Sequence, residues 1–244
     1  MYARVGGERI MDGGLYSPAE MMREALEGRE AGGFKLRVRD FRKGRTDRET
    51  YFNVFLEKGE ATSTRPVAQG LYFMGRGEHI RPWVEFRYDP GLSFSDGSAV
   101  DLEELGLTPV IFSLLGGLLP PGGSMMVIYG GEGHPLMRET EKGLKRGFPP
   151  HVTPLGYHLW REGFRWFKDW YFPEGWLEGA MKLQATRPLD EEIRARREAQ
   201  ARQELSEFVS AAGRAGAEDP LLKGAVARAE SILAALGEER EDLR

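Results

Sequence analysis

Residues able to do chemistry are sparse and widely spaced along these 244 residues. There is no cysteine, which excludes disulfides, thiolate nucleophiles and cysteine metal sites together. His79, His134, His151 and His158 share no HxxxH or HxxE spacing on one helix, so no metal site is expected. No Gly-x-Ser-x-Gly elbow is present, and Gly-Arg-Gly-Glu at 75–78 is a turn with no helix behind it; hydrolase and dehydrogenase readings fall away. One carboxylate is better placed. In WVEFRYD the alternation sets Val84, Phe86 and Tyr88 on one side of a strand and Trp83, Glu85 and Arg87 on the other. The ordinary reading of that second side is a solvated Glu-Arg face. Arg138, Lys142 and Lys145 make a basic helix stripe that could clamp phosphate, although Glu139 and Glu141 dilute it and such stripes are usually just solvated. The aromatics Trp166, Phe167, Trp170, Tyr171, Phe172 and Trp176 read as core, and with Arg165 and Lys168 among them the alternative is a platform for a flat ligand.

A hydrophobic fraction of 41% and 11% aromatics describe a globular chain with a real core. The formal charge of -4 argues against a protein that coats nucleic acid, while leaving room for a local basic stripe to meet phosphates. The longest apolar run, 110–119, is too short to span a bilayer and is interrupted by Ser113, Gly116 and Gly117. With no secretory h-region and no cysteine, a cytoplasmic address and no membrane partner are expected. Many Arg, Glu and Pro residues give a thermophile-like composition.

Ser17-Pro18-Ala19-Glu20 is a capping box for a first helix, which Gly32 and Gly33 are expected to stop. Before it, a weak strand is expected between Tyr2 and Ile10. Strands follow at 34–41, 50–57, 66–74 and 79–89, with turns suited to antiparallel neighbours. The loop at 91–107 is long enough to read as a mobile lid. Thr108-Pro109 then repeats the cap-plus-proline device before an apolar helix, 124–129 is a central strand, and 135–146 another helix. Thr153 caps a short helix ended by Gly163; strands at 164–172 and 177–185 flank a turn at 173–175. After Pro188 the chain turns charged and Ala-rich, interrupted by Gly213 and Gly216. A seam through Leu222, Val226, Ala229, Leu233 and Leu236 predicts a helical hairpin packed on its own domain or in a homodimer.

Helix, Gly-Phe at 163–164, strand, turn and a strand with Met181-x-Leu183 on its core side resembles the C-terminal half of GNAT-type acyltransferases. The helix and strand meander before it are similar to their N-terminal half, and the resemblance covers about 17–185. It also extends to an uncharacterised prokaryotic family grouped with that superfamily. The fold expected is α+β: a GNAT-like mixed, mostly antiparallel sheet flanked by helices in 1–187, with a C-terminal helical hairpin in 188–244. The resemblance implies transfer of an acyl group from acyl-CoA to an unidentified small-molecule or peptide amine. It makes Glu85 the general base and places the donor on Gly106, Leu107 and Thr108 and on the backbone of Met126, Val127 and Ile128, where the two strands are expected to splay. Two departures stand in the sequence. Leu159 occupies the position where the family carries an acid tyrosine, so Tyr157 is the substitute only if the helix register shifts. The helix at Thr108 lacks the Gly-rich basic phosphate loop and is preceded by Asp101, Glu103 and Glu104. The alternatives are a noncatalytic ligand-binding or assembly protein on the same fold and a transferase using another acyl donor.

Overall fold

A computed structural model describes residues 3–5, 8–11, 14–15, 17–76, 80–130, 134–171, 180–215 and 219–241. The expectations for Tyr2, His79, Phe172, Trp176, Gly216, the turn at 173–175 and the start of the last strand lie outside these residues. The chain divides into two compact units, 1–129 and 130–244, so the expected boundary after 187 falls inside the second of them.

The first unit opens with three short antiparallel strands, β1 (Ala3–Val5), β2 (Glu8–Met11) and β3 (Gly14–Leu15). Helix α1 (Pro18–Leu26) carries the full capping box: the Ser17 side chain accepts from the Glu20 N–H, and the Glu20 carboxylate accepts from the Ser17 N–H at 2.8 Å. It ends at Leu26, earlier than Gly32. Gly32 and Gly33 instead form the two-residue turn between β4 (Glu30–Ala31) and β5 (Phe34–Lys43), and their φ values of 55° and 84° are what such a hairpin turn requires.

Then come β6 (Glu49–Lys58), β7 (Ala61–Thr62), β8 (Ala68–Phe73), β9 (Trp83–Tyr88), β10 (Gly91–Ser93), β11 (Ala99–Asp101), α2 (Thr108–Gly116) and β12 (Ser124–Gly130). β5, β6, β8 and β9 are antiparallel neighbours, and β12 returns through α2 to lie parallel to β9. Antiparallel strands need only tight turns; the parallel β9–β12 pair needs the crossover helix. Period-two alternation buries Leu36, Phe52, Val54, Tyr72, Val84, Phe86, Met125 and Val127. On that side lie Met22 and Leu26 of α1 and Ile111 and Phe112 of α2; Phe112 meets the rings of Phe86 and Tyr88 edge-on.

The stretch expected to be a mobile lid is a packed hairpin. β10 and β11 pair, Phe94 is buried against the Phe34 ring at 5.7 Å, and Ser93 and Thr62 carbonyls accept from the N–H groups of Thr64 and Ser95. Leu92, Phe94 and Leu102 supply the apolar anchors, which outweigh the loop-like Gly and Ser content.

The second unit contains α3 (Pro135–Lys145), a 3-10 turn (Pro150–Val152), α4 (Pro154–Arg161), the antiparallel pair β13 (Trp166–Tyr171) and β14 (Ala180–Thr186), α5 (Glu191–Ala215) and α6 (Pro220–Glu241). Thr153 caps α4 by accepting from the Gly156 N–H at 3.3 Å, and Gly163, at φ 86°, ends the segment. Gly156 has no room for a side chain, because a Cβ there would lie 1.9 Å from the Pro150 carbonyl oxygen. α5 runs on through Gly213. The C-terminal seam is turned from its expected direction: Ala225, Ala229, Ile232 and Leu236 are the buried positions of α6, while Leu222, Val226 and Leu233 are half-buried. They pack with Val152, Trp160, Ala201 and Leu205, so the seam packs on its own unit, the first of the two arrangements expected.

Candidate functional site

Glu85 stands at the middle of β9 on the face opposite the core, half-buried, as the alternation requires. Its cross-strand neighbours are Leu71 of β8 and Met126 of β12. An apolar residue on each side of one carboxylate is a setting in which a base is kept partly from water. Gly70 explains how β8 fits beside it: a Cβ there would lie 1.9 Å from the Glu85 carbonyl oxygen and 2.6 Å from Phe86 Cα.

The donor residues are arranged differently from the expectation. Met126, Val127 and Ile128 do not splay from β9; they stand in continuous register with Glu85, Phe86 and Arg87. Met126 and Ile128 share the Glu85 face by alternation, Met126 half-buried and Ile128 6% exposed, whereas Val127 lies in the core on the other face. At the start of α2 the N-cap is Leu107, without a side-chain cap, and Thr108 is the first helical residue rather than the cap. The Thr108 hydroxyl accepts a 2.9 Å hydrogen bond from the buried Tyr88 hydroxyl. Burial pushes the Tyr88 phenol up; the Thr108 bond opposes that, and the carboxylates of Glu103, Asp101 and Asp89 push the same way as burial. Gly106 takes φ 67° to close the turn before the helix, and the Leu107 N–H is held by the Leu102 carbonyl at 2.7 Å. Asp101 builds this turn by accepting from the N–H groups of Glu103 and Glu104. These residues do not fit a pyrophosphate: Pro109 removes a donor and the surroundings are anionic.

Tyr157 belongs to the second unit, half-buried on α4, with its hydroxyl 2.9 Å from Ser231 Oγ of α6. Leu159 is fully buried. The basic stripe of α3 is partly paired, Lys145 with Glu141 at 2.6 Å. Of the expected aromatic core, Trp166 is 37% exposed, whereas Phe167 lies against Trp160 and His151.

Two features of this unit carried no motif. His151 is 4% exposed, flanked by the Trp160 and Phe167 rings, and its Nε2 has no hydrogen-bond partner among the described residues. Burial pushes its imidazole down to about 4. Glu198 of α5 accepts from Arg165 at 2.7 Å and from Arg194 at 3.0 Å, and Arg165 also covers the Trp160 ring. Burial opposes the Glu198 charge, yet the bonds from Arg165 and Arg194 prevail and hold the carboxyl below its usual range. Only the PPHVTPL setting of His151, a lone imidazole among apolar and proline residues, hinted at burial.

Among the described residues no group of His, Cys, Asp and Glu is arranged to hold a metal ion, and no helix is long and apolar enough to cross a membrane.

The architecture is thus mixed α+β, with a large, mostly antiparallel sheet and, among the described residues, six α-helices, the last two forming a C-terminal pair. Over residues 32–212 the chain matches the family described as "Protein of unknown function (DUF1122)", and it belongs to that family. It is similar to a solved protein of unknown function from Aquifex aeolicus VF5, with 26% identity and a TM-score of 0.65, over 90% of this chain and 98% of that one. A search of curated proteins gives no match.

Proposed function

We propose that this chain is a GNAT-like acyltransferase that moves an acyl group to an amine, with Glu85 as general base and acyl-CoA as the first donor to test. The observation that carries the reading is the β9–α2–β12 crossover, which sets two parallel strands side by side with Glu85 on the outer face of the first, flanked by Leu71 and Met126. The order of elements, a helix, an antiparallel meander, a crossover helix, a parallel strand and a final hairpin, supports the same resemblance. In the reaction Glu85 would take the amine proton as nitrogen attacks the acyl carbonyl, and the carrier thiolate would leave. A second reading, a noncatalytic binding protein on this frame, is favoured by the anionic surroundings of Thr108 and by the pairing of Tyr157 with Ser231.

Acetyl-CoA and a panel of amines, followed by thiol release, separate the two. The transferase reading expects turnover that Glu85→Gln lowers by about 10² to 10⁴ with donor binding retained. CoA at a hundred times its Kd should add about 2.7 kcal/mol of stability. No thiol release and no stabilisation by millimolar CoA would hand the chain to the binding reading.

A further inference from the structure

One end of the first unit's sheet carries four arginines that form no ion pair with a described carboxylate. The β5–β6 turn at 44–48 and the described residues 74–76 and 80–82 between β8 and β9 lie at the same end, because Glu49 pairs with Phe73 and the Arg48 carbonyl accepts from the Met74 N–H at 3.0 Å. The Arg48 guanidinium adds a 3.1 Å bond to the Gly75 carbonyl and ties the two tips into one platform. Both carboxylates of the first tip are employed: Glu49 accepts from the N–H groups of Arg45 and Thr46, and Asp47 pairs with Lys43. Arg42, Arg45, Arg76 and Arg81 remain, all exposed, and none forms an ion pair with a described carboxylate. Tyr51, 43% exposed, stands directly across from Arg42 in the register.

We propose that this end binds the phosphate backbone of a single nucleic-acid strand, without sequence preference. All four cations without an ion pair among the described residues are arginines, whose planar forks match phosphate oxygens, and Tyr51 offers a ring on which a base can stack. β5 to β9 spans three strand spacings, about 15 Å, which is room for roughly four phosphates of one strand. An anionic lipid surface is the weaker fit, since among the described residues of the tips Ile80, at 49%, is the one large aliphatic side chain that is exposed. The arginine tips lie at the end of β9 opposite the start of α2, while Tyr51 shares a register row with Leu71 and Glu85.

The test is fluorescence anisotropy of the full chain with a labelled 20-nucleotide single strand at 50 and 200 mM salt. Four phosphate contacts predict about 50-fold weaker binding at the higher salt. R42Q/R45Q/R76Q/R81Q should lose at least about tenfold at 50 mM salt with an unchanged Tm, because each side chain is exposed. R161Q/R196Q/R214Q/K223Q removes the same charge from exposed positions of the second unit and should retain binding. No binding by the unaltered chain at 50 mM salt, or equal loss in both variants, would overturn the proposal. So would cosedimentation with phosphatidylserine vesicles in preference to the oligonucleotide.

Discussion

The two ends of the first unit's sheet carry opposite charge and use it in opposite ways. Between 89 and 107 there are five carboxylates and no cation; over 42–49 and 74–83 there are six cations against three carboxylates. At the acidic end the charges have internal duties. Asp89 pairs with Arg65 at 3.2 Å, Asp96 accepts from the Ser98 N–H and hydroxyl, and Asp101 closes the turn into α2. At the basic end Arg48, Lys43 and the carboxylates hold the turns, and four arginines are left to solvent. A charge count alone treats the two ends as mirror images. Their hydrogen bonds separate a scaffold from a surface able to meet a partner.

The strongest way to break this comparison is to detach the acidic end. Phe94→Ala should cost about 3 to 5 kcal/mol, because the buried ring leaves a cavity beside Phe34. In the unaltered chain the Leu102 and Leu107 amides should exchange hydrogen as slowly as those of β8. Fast exchange across 91–107 would restore the lid and end the description of this region as scaffold.

A somewhat smaller effect extends the contrast between employed and idle groups to the second unit. His151 is neutral in the folded chain, with a pKa near 4 against an ordinary value of 6.5. The unfolded chain binds the extra proton, so stability is fully present above pH 6.5 and is lost as pH falls towards 4, by about 3 kcal/mol in all. Glu198, held below its usual 4.5, adds a further loss only as pH drops through that lower range. Urea unfolding from pH 7 to 4 should show the first loss, and His151→Phe should flatten it. An unchanged slope in the variant would assign the acid sensitivity elsewhere.

The smallest effect sharpens the role of Thr108. Tyr88→Phe leaves a buried hydroxyl without its donor and should cost about 1 to 3 kcal/mol, whereas adding Thr108→Val should recover part of it. Additive losses would mean that the two hydroxyls are not coupled.

Much of this was legible in the sequence because it depends on neighbours in the chain. The capping box at Ser17, the cap at Thr153, the φ-positive Gly163 and the alternation that separates Glu85 from Phe86 are all local devices, and local sterics and hydrogen bonding decide them. Even near misses had local causes: Gly32 and Gly33 have the right conformation for a stop, but a hairpin claimed them. Tertiary structure decided what depends on residues distant in sequence. Apolar anchors at Leu92, Phe94 and Leu102 turned a polar, glycine-containing stretch into a hairpin, since buried area outweighs composition. Register placed Met126 beside Glu85, packing turned the buried stripe of α6 to Ala225 and Ile232, and residues distant in sequence set His151 between two rings. The sequence shows which residues carry charge; only the folded chain decides which of those charges are already spoken for, because a hydrogen bond is made by position and not by type.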